Sequence, residues 1–202
     1  MAEVLNGSRR SLGAPEEVRR HLCLVLDVDD LVAARRTAAG LAPWFSTVKV
    51  GLELFTAAGP EAVATFVDAG LDVFCDLKLH DIPNTVGSAA RVLGASGARW
   101  ATVHASGGTA MLRAAVEGMA EGAERVGATP PGVLAVTVLT SDEKAGRDVL
   151  EERCGLAVEV GCAGIVCAAP DLAVTAPWSD RLVRVVPGIR MPGGDLHDQS
   201  RV

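Results

Sequence analysis

The strongest constraint on this fold is a regular alternation of short, β-branched apolar runs with longer alanine-rich stretches of helical periodicity. A run and the stretch after it together span roughly 25 to 35 residues, the size of one strand–helix unit. The predicted strands cover residues 22–26, 47–50, 72–76, 100–104, 133–139, 164–167 and 182–186. The predicted helices cover residues 31–40, 60–69, 86–95, 110–124 and 149–160. The alternation therefore predicts an α/β protein.

The predicted strands are apolar along their length, which is typical of parallel strands that helices cover on both faces. Two architectures fit this pattern, an open doubly wound sheet and a closed barrel. An open dinucleotide-binding sheet carries a glycine-rich turn after its first strand, whereas this sequence has DVDD at residues 27–30. We therefore expect a (β/α)8 TIM barrel that forms a single domain over residues 21–202, after a mobile leader at residues 1–20.

The composition argues against several classes of function. The 25 acidic and 19 basic residues give a formal net charge of -6, and only 3% of the residues are aromatic. Such a surface neither attracts nucleic acid nor offers stacking platforms for its bases. The apolar runs are too short to span a membrane and no secretory signal is visible, so we expect a cytoplasmic protein. The five cysteines follow no metal-ligand spacing and are expected to be packing residues.

Charged residues lie at the ends of the first three predicted strands: Asp27, Lys49, Asp76 and Lys78. Barrel enzymes hold their chemistry at this end of the strands. Asp76 and Lys78 are two apart on a predicted extended segment, which would direct both side chains to one face. Alone, such a pair is more often an ordinary surface salt bridge. With Asp27 and Lys49 at neighbouring strand ends a functional network is favoured, because charges at the mouth of an apolar barrel are costly unless paired.

An alternating set of lysines and aspartates favours the charged form of each member. The ammonium group of Lys78 would then act as an acid, able to stabilise a carbanion and deliver a proton to it. The carboxylate of Asp76 would repel a substrate carboxylate and favour its loss as carbon dioxide. At about 4 Å and an effective dielectric constant of about 20 this repulsion is roughly 4 kcal/mol, or about three decades in rate. It is too small to drive a decarboxylation alone.

The segment VPGIR at residues 186–190 follows the last predicted strand. Barrel enzymes commonly bind phosphate in the loops after their late strands. The segment is therefore either a phosphate-binding loop or a Gly/Pro turn with a solvated arginine, and its own residues favour neither. His104, at the end of the fourth predicted strand, is expected to support the site by hydrogen bonding.

The segment DLKLHDIPNT at residues 76–85 resembles the signature of the orotidine 5'-phosphate decarboxylase family. Further segments match the family in the right order: LD at 26–27, KVG at 49–51, VHASGG at 103–108, VTVLTS at 136–141, PGIR at 187–190 and DQ at 198–199. The resemblance covers about residues 20–202 and implies a homodimeric (β/α)8 barrel. It also implies conversion of orotidine 5'-phosphate to uridine 5'-phosphate, a step of pyrimidine biosynthesis, without a metal or organic cofactor.

The resemblance implies a role for each of the four strand-end charges. Lys78 would protonate C6 of the pyrimidine, and Asp76 would crowd the substrate carboxylate. Lys49 would contact the ribose and connect the charges, while Asp27 would bind the ribosyl hydroxyls.

Further positions would complete the site by the same resemblance. Asp81, with Thr85 beside it, would reach into the active site of the partner subunit. Thr140 and Ser141 would contact the pyrimidine. Arg190 and Gln199 would belong to a loop that closes over the base and the phosphate.

The sequence departs from the family pattern in two places. The family has an eighth strand ending in a phosphate-binding Gly-Arg pair that does not occur before Val202, and the stretch 141–167 is shorter than usual. We therefore expect the eighth βα unit to be lacking and the grip on phosphate to be weaker. Two alternatives stay open: a magnesium-dependent sugar-phosphate decarboxylase or synthase of the same superfamily, and a non-catalytic nucleotide-binding remnant.

Overall fold

The computed structural model describes residues 13–141 and 146–189. Seven strands form one parallel sheet in chain order, and each strand pairs with the next one along the sequence. The strands are β1 (Cys23–Val25), β2 (Thr47–Gly51), β3 (Asp72–Leu79), β4 (Trp100–His104), β5 (Gly132–Val136), β6 (Gly164–Val166) and β7 (Val183–Val185). All seven predicted strands are confirmed, with ends that differ by a few residues.

Helices alternate with these strands, as expected for a β/α barrel. In the described ranges they are α1 (Glu16–Arg19), α2 (Leu31–Leu41), α3 (Leu52–Ala58), α4 (Glu61–Asp68), α5 (Pro83–Ala95), α6 (Gly108–Val126), α7 (Arg147–Glu159) and α8 (Leu172–Thr175). The side chain of Asp30 accepts a hydrogen bond from the backbone N–H of Ala33 at 2.9 Å and so caps α2. None of the described helices is long and apolar enough to cross a membrane.

The two edge strands of the sheet, β1 and β7, line the same cavity, so the sheet curls as it does in a barrel. Within the two described ranges no strand pairing joins β1 to β7. The inner strands are deeply buried: every residue of β5 is buried, as are the three central residues of β4. This burial agrees with strands that are covered on both faces.

The predicted elements differ from the structure at the end of β5 and in lacking the helix α3. β5 ends at Val136 rather than at residue 139; the backbone N–H of Thr137 still donates to the carbonyl of Val166 on β6, while the carbonyl of Thr137 accepts a hydrogen bond from Arg153. The helix α3 was not expected, since its 7 residues are too few for a periodic pattern.

Residues 13–20, assigned from the sequence to the leader, contact the loop between α2 and β2. The backbone N–H of Ala14 donates to the carbonyl of Pro43 at 3.1 Å. The guanidinium of Arg19 donates to the carbonyls of Ala42 and Phe45 at 3.1 and 3.3 Å. These hydrogen bonds attach this short segment to the barrel.

The helices α5 and α6 pack backbone against backbone. A Cβ atom added at Gly94, Gly118 or Gly122 would collide with main-chain atoms of the facing helix. Because α5 begins directly after the loop that follows β3, this contact also fixes the polypeptide next to the charged end of that strand.

The regular register between β3 and β4 is lost near the charged end of β3. Cys75 pairs with Ala101 and Leu79 pairs with Val103, so residues 76–78 of β3 lie opposite Thr102 alone. Such a bulge bends a strand and redirects its side chains.

Candidate active site

A cavity of about 470 Å³ lies at the carboxyl ends of the strands. Asp27, Lys49, Asp76 and Lys78 line it together with apolar side chains, among them Phe74. A larger groove of about 780 Å³ lies between α2 and α4 and contains none of these four charged residues. Since barrel enzymes carry their chemistry at the strand ends, the smaller cavity is the candidate active site.

The four charged side chains form a continuous chain of ion pairs. The ammonium of Lys78 donates to both carboxylate oxygens of Asp76, at 2.9 and 2.8 Å. The ammonium of Lys49 lies 3.6 Å from Oδ2 of Asp76 and donates to Oδ1 of Asp27 at 2.8 Å. The charges therefore alternate in the order Asp27, Lys49, Asp76, Lys78.

Lys49 and Asp76, the middle pair in this series of ion-paired residues, have the least exposed side chains of the four. The side chains of Lys49 and Asp76 are 15% and 14% exposed, whereas that of Asp27 is 50% exposed. Electrostatic interactions strengthen as water is excluded, so a ligand charge next to Asp76 is felt more strongly than one next to Asp27.

The sequence analysis expected Asp76 and Lys78 to converge because both lie on a regular extended strand, and this reason is wrong. Lys78 lies within β3 but interrupts its extended backbone: its φ is 49°, and it is the one residue other than glycine with a positive φ in the described ranges. The left-handed backbone at Lys78 and the bulge bring its ammonium onto Asp76. A left-handed backbone is uncommon in a residue with a β-carbon and occurs frequently at functional sites.

Gly51 is a residue of the site that the sequence analysis did not identify. A Cβ atom at this position would lie 2.6 Å from Oδ1 of Asp27 and 2.9 Å from Nζ of Lys49. The Asp27–Lys49 ion pair thus occupies the space that any larger residue would need. Its signal in the sequence is a glycine two residues after a charged strand-end lysine.

His104 lies next to His80, and the centroids of the two imidazole rings are 5.3 Å apart. Burial lowers the pKa of His104, and the nearby His80 and Lys78 lower it further, whereas Asp76 opposes this shift. These effects favour the neutral imidazole of His104, which does not line the cavity itself.

The remaining predicted residues have different positions. Thr140 lines the cavity, and Ser141 is exposed beside it. Asp81 and Thr85 are exposed and do not line the cavity; a carboxylate oxygen of Asp81 accepts a hydrogen bond from the N–H of Ile82 at 2.6 Å. Arg190 and Gln199 lie outside the described residues.

No three His, Cys, Asp or Glu side chains come together as metal ligands within residues 13–141 and 146–189. The carboxylates of Asp27 and Asp76 are joined through the ammonium of Lys49, which holds the position between them. A cation of the protein itself thus compensates the carboxylates of this cavity.

Comparison with known proteins gives one consistent result. Residues 20–202 match the model of the "Orotidine 5'-phosphate decarboxylase / HUMPS family". An orotidine 5'-phosphate decarboxylase of Anaeromyxobacter dehalogenans is 45% identical over 192 residues, which cover 90% of this chain and 81% of that protein. One from Moorella thermoacetica is 41% identical over 203 residues, covering 93% of this chain and 81% of the relative.

Two solved structures are also similar to this chain. The crystal structure of an orotidine 5'-phosphate decarboxylase from Lactobacillus acidophilus matches with a TM-score of 0.75 and 32% identity, over 84% of this chain and 81% of that one. An uncharacterised conserved protein from Geobacillus kaustophilus matches with a TM-score of 0.71 and 33% identity, over 82% of each chain.

Proposed function

The chain belongs to the orotidine 5'-phosphate decarboxylase / HUMPS family, and from this premise we propose that it converts orotidine 5'-phosphate to uridine 5'-phosphate with Lys78 as the proton donor. The activity follows from relatives of that name that are 41% to 45% identical over most of the chain. The observation that carries the proposed chemistry is the Lys78 ammonium, 2.8 Å from Asp76 inside the strand-end cavity.

The proposed reaction breaks one carbon–carbon bond and forms one carbon–hydrogen bond. The bond between C6 of the pyrimidine and its carboxylate breaks, carbon dioxide leaves, and the electron pair stays on C6. The ammonium of Lys78 stabilises this carbanion and transfers a proton to C6, which gives uridine 5'-phosphate. The neutral amine of Lys78 then takes a proton from water.

Asp76 contributes by repelling the substrate carboxylate. At about 4 Å and an effective dielectric constant of about 20, two like charges repel by roughly 4 kcal/mol, which corresponds to about three decades in rate. Because the repulsion is relieved when carbon dioxide forms, it lowers the barrier rather than only weakening binding. The low exposure of Asp76, 14% of its side chain, supports this role.

Other residues bind the non-reacting parts of the nucleotide in this proposal. Asp27 and Lys49 bind the ribose hydroxyls, and Thr140 with Ser141 contacts the pyrimidine. Arg190 and Gln199 close over the base and the phosphate. Asp27, Lys49 and Thr140 line the cavity, which supports the assignments to the ribose and the pyrimidine. The assignment of Arg190 and Gln199 rests on the family pattern.

We propose a homodimer in which Asp81 and Thr85 complete the partner's active site. Both residues are exposed, the neighbouring Ile82 is 65% exposed, and Val92 on the following helix α5 is 58% exposed. A second chain packed against this part of the molecule would bury these apolar side chains. A second copy of the chain is the partner that the family pattern predicts.

We further propose a cytoplasmic enzyme with a single barrel domain over residues 21–202. The thiols of Cys23, Cys75, Cys154 and Cys162 are free, which suits a reducing compartment. Residues 13–20, which belong to the proposed leader, are attached to this domain through Ala14 and Arg19.

The function is tested by following the ultraviolet absorbance of orotidine 5'-phosphate in the presence of EDTA. We expect turnover by the wild-type protein, none by Lys78→Ala, and normal turnover by Arg147→Ala, which removes an exposed cation on α7. Turnover that requires magnesium would instead favour the sugar-phosphate enzymes, and binding of the nucleotide without turnover would favour a non-catalytic remnant. Retained activity in Lys78→Ala would contradict the proton-donor role.

The shared site is tested by mixing two variants that are each expected to be inactive, Lys78→Ala and Asp81→Asn, after unfolding and refolding them together. Half of the randomly formed dimers are mixed, and each mixed dimer has one intact site of two, so about one quarter of the wild-type activity should return. Each variant refolded alone is the control. No recovery from a mixture that sedimentation shows to be dimeric would rule out a site shared through Asp81.

A further inference from the structure

Thr102 lies at the one point where β3 and β4 depart from regular pairing. It is the single residue of β4 opposite residues 76–78 of β3, a segment that begins and ends with the two charged residues of the proposed chemistry. Its side chain is fully buried, at 0% exposure, in a strand whose neighbouring positions are apolar. A buried hydroxyl at such a position requires hydrogen-bond partners.

The partners of this hydroxyl are Lys78 and Asp76. The backbone N–H of Lys78 donates to Oγ1 of Thr102 at 2.9 Å. Oγ1 of Thr102 donates in turn to Oδ1 of Asp76 at 3.1 Å. The directions are fixed, because an N–H is only a donor and an ionised carboxylate only an acceptor.

Together with the Lys78–Asp76 ion pair, these two hydrogen bonds form a closed ring of contacts through Lys78, Asp76 and Thr102. Lys78 is bound at its ammonium by Asp76 and at its backbone N–H by Thr102, and Thr102 also holds Asp76. The backbone of Lys78 is left-handed, with φ of 49°, a conformation that persists in a residue with a β-carbon only when its surroundings enforce it. The hydrogen bond from the Lys78 N–H to Oγ1 of Thr102 acts on this backbone directly.

We propose that Thr102 is a positioning residue for this reaction, which holds the left-handed turn at Lys78 and the orientation of the Asp76 carboxylate through one hydroxyl group. The inference rests on the proposed function, because it assigns to Thr102 the alignment of the proposed proton donor. Thr102 does not line the cavity, so it acts through Asp76 and Lys78 and makes no contact of its own with the nucleotide.

The alignment of Lys78 and Asp76 matters in the transition state more than in nucleotide binding. A misplaced ammonium transfers its proton more slowly, while the ribose and phosphate contacts remain unchanged. Loss of the Thr102 hydroxyl should therefore lower kcat and leave KM nearly constant. Loss of fold stability alone would lower the amount of folded enzyme and leave the kcat of each folded molecule unchanged.

The experiment compares two pairs of variants that each differ by the hydroxyl alone. Thr102→Val has the shape of the wild type without the hydroxyl, and Thr102→Ala has the shape of Thr102→Ser without it. We expect kcat to fall roughly 10- to 100-fold in the Val and Ala variants and to be largely restored in the Ser variant, with KM changed less than about threefold. Thr175→Val, which alters a fully buried threonine of α8, is the control and should keep normal kinetics.

Equal kcat within either pair would overturn the proposal, and so would a loss that appears in KM alone. A second readout needs no turnover: hydrogen exchange of the Lys78 backbone N–H, followed by NMR, should accelerate in Thr102→Val and not in Thr102→Ser. If the wild type does not convert orotidine 5'-phosphate, the proposed function fails, and this exchange rate decides whether Thr102 holds the turn. Unchanged exchange in Thr102→Val would then overturn the positioning role as well.

Discussion

The ammonium of Lys49 on β2 donates to Oδ1 of Asp27, just beyond the end of β1, at a distance of 2.8 Å. The pair lies over Gly51, two residues further along β2, and its atoms fill the space beside that glycine. This ion pair therefore links the ends of β1 and β2, and it requires that residue 51 has no side chain.

Gly51→Ala should impair the enzyme without unfolding it. The new methyl group would displace the carboxylate of Asp27 and the ammonium of Lys49, which are proposed to bind the ribose. We expect kcat/KM for orotidine 5'-phosphate to fall by about 10-fold or more, since small misplacements of binding groups are costly. Gly40→Ala, at a position with open space around it, is the control. Normal kinetics in Gly51→Ala would show that the pair tolerates displacement.

Gly118→Ala should destabilise the protein because the methyl group would meet the carbonyl of Gly87 on the facing helix. Overpacking of this kind costs about 1 to 3 kcal/mol in the free energy of unfolding. Gly155→Ala, in α7 with nothing near its Cβ position, should instead stabilise by about 0.5 to 1 kcal/mol through helix propensity. Urea unfolding of both variants checks the opposite signs; a stabilised Gly118→Ala would contradict the close packing of α5 and α6.

His104 should make the stability of the fold depend on pH near neutrality. Burial, His80 and Lys78 lower the pKa of His104 below its usual 6.5. Below that pH the unfolded chain binds a proton at this residue before the folded chain does, so acidification favours unfolding until the lowered pKa is passed. In urea titrations from about pH 7.5 to about pH 5.5 the wild type should lose stability relative to His104→Gln. If the free energies of unfolding of the wild type and His104→Gln differed by the same amount at every pH in this range, His104 would not be the cause of a pH dependence.

Cys23 should react slowly with alkylating agents although it lines the cavity. Burial raises the pKa of its thiol to about 12, against the opposing effect of Lys49. Since the thiolate is the nucleophile, labelling by iodoacetamide at about pH 8 should be roughly a hundredfold slower in the native protein than in urea. Mass spectrometry of the peptide that contains Cys23 measures both rates. Labelling of native Cys23 at the unfolded rate would show that the thiol is accessible and easily ionised.

The strands and the four strand-end charges could be predicted because both depend on local patterns. Continuous apolar runs mark buried parallel strands, and charges directly after such runs fall at the same edge of the sheet. Asp27, Lys49, Asp76 and Lys78 thus come together in the structure as the sequence analysis expected.

The detailed geometry could not be predicted because it depends on contacts between elements. The left-handed backbone of Lys78 is accompanied by a bulge whose partner, Thr102, is 24 residues away in sequence. Just after the end of β5, the carbonyl of Thr137 accepts a hydrogen bond from Arg153 on α7, 16 residues away in sequence. Neither contact leaves a periodic or compositional signal.

The glycine-lined contact between α5 and α6 also limits which substitutions can compensate for one another. At Gly94, Gly118 and Gly122 the obstacle to a larger residue is the main chain of the opposite helix. A clash with a side chain can be relieved by shortening that side chain, whereas the main chain is present whatever residue is encoded there. Genetic selections for revertants at these positions should therefore return the original glycine far more often than a suppressor on the facing helix.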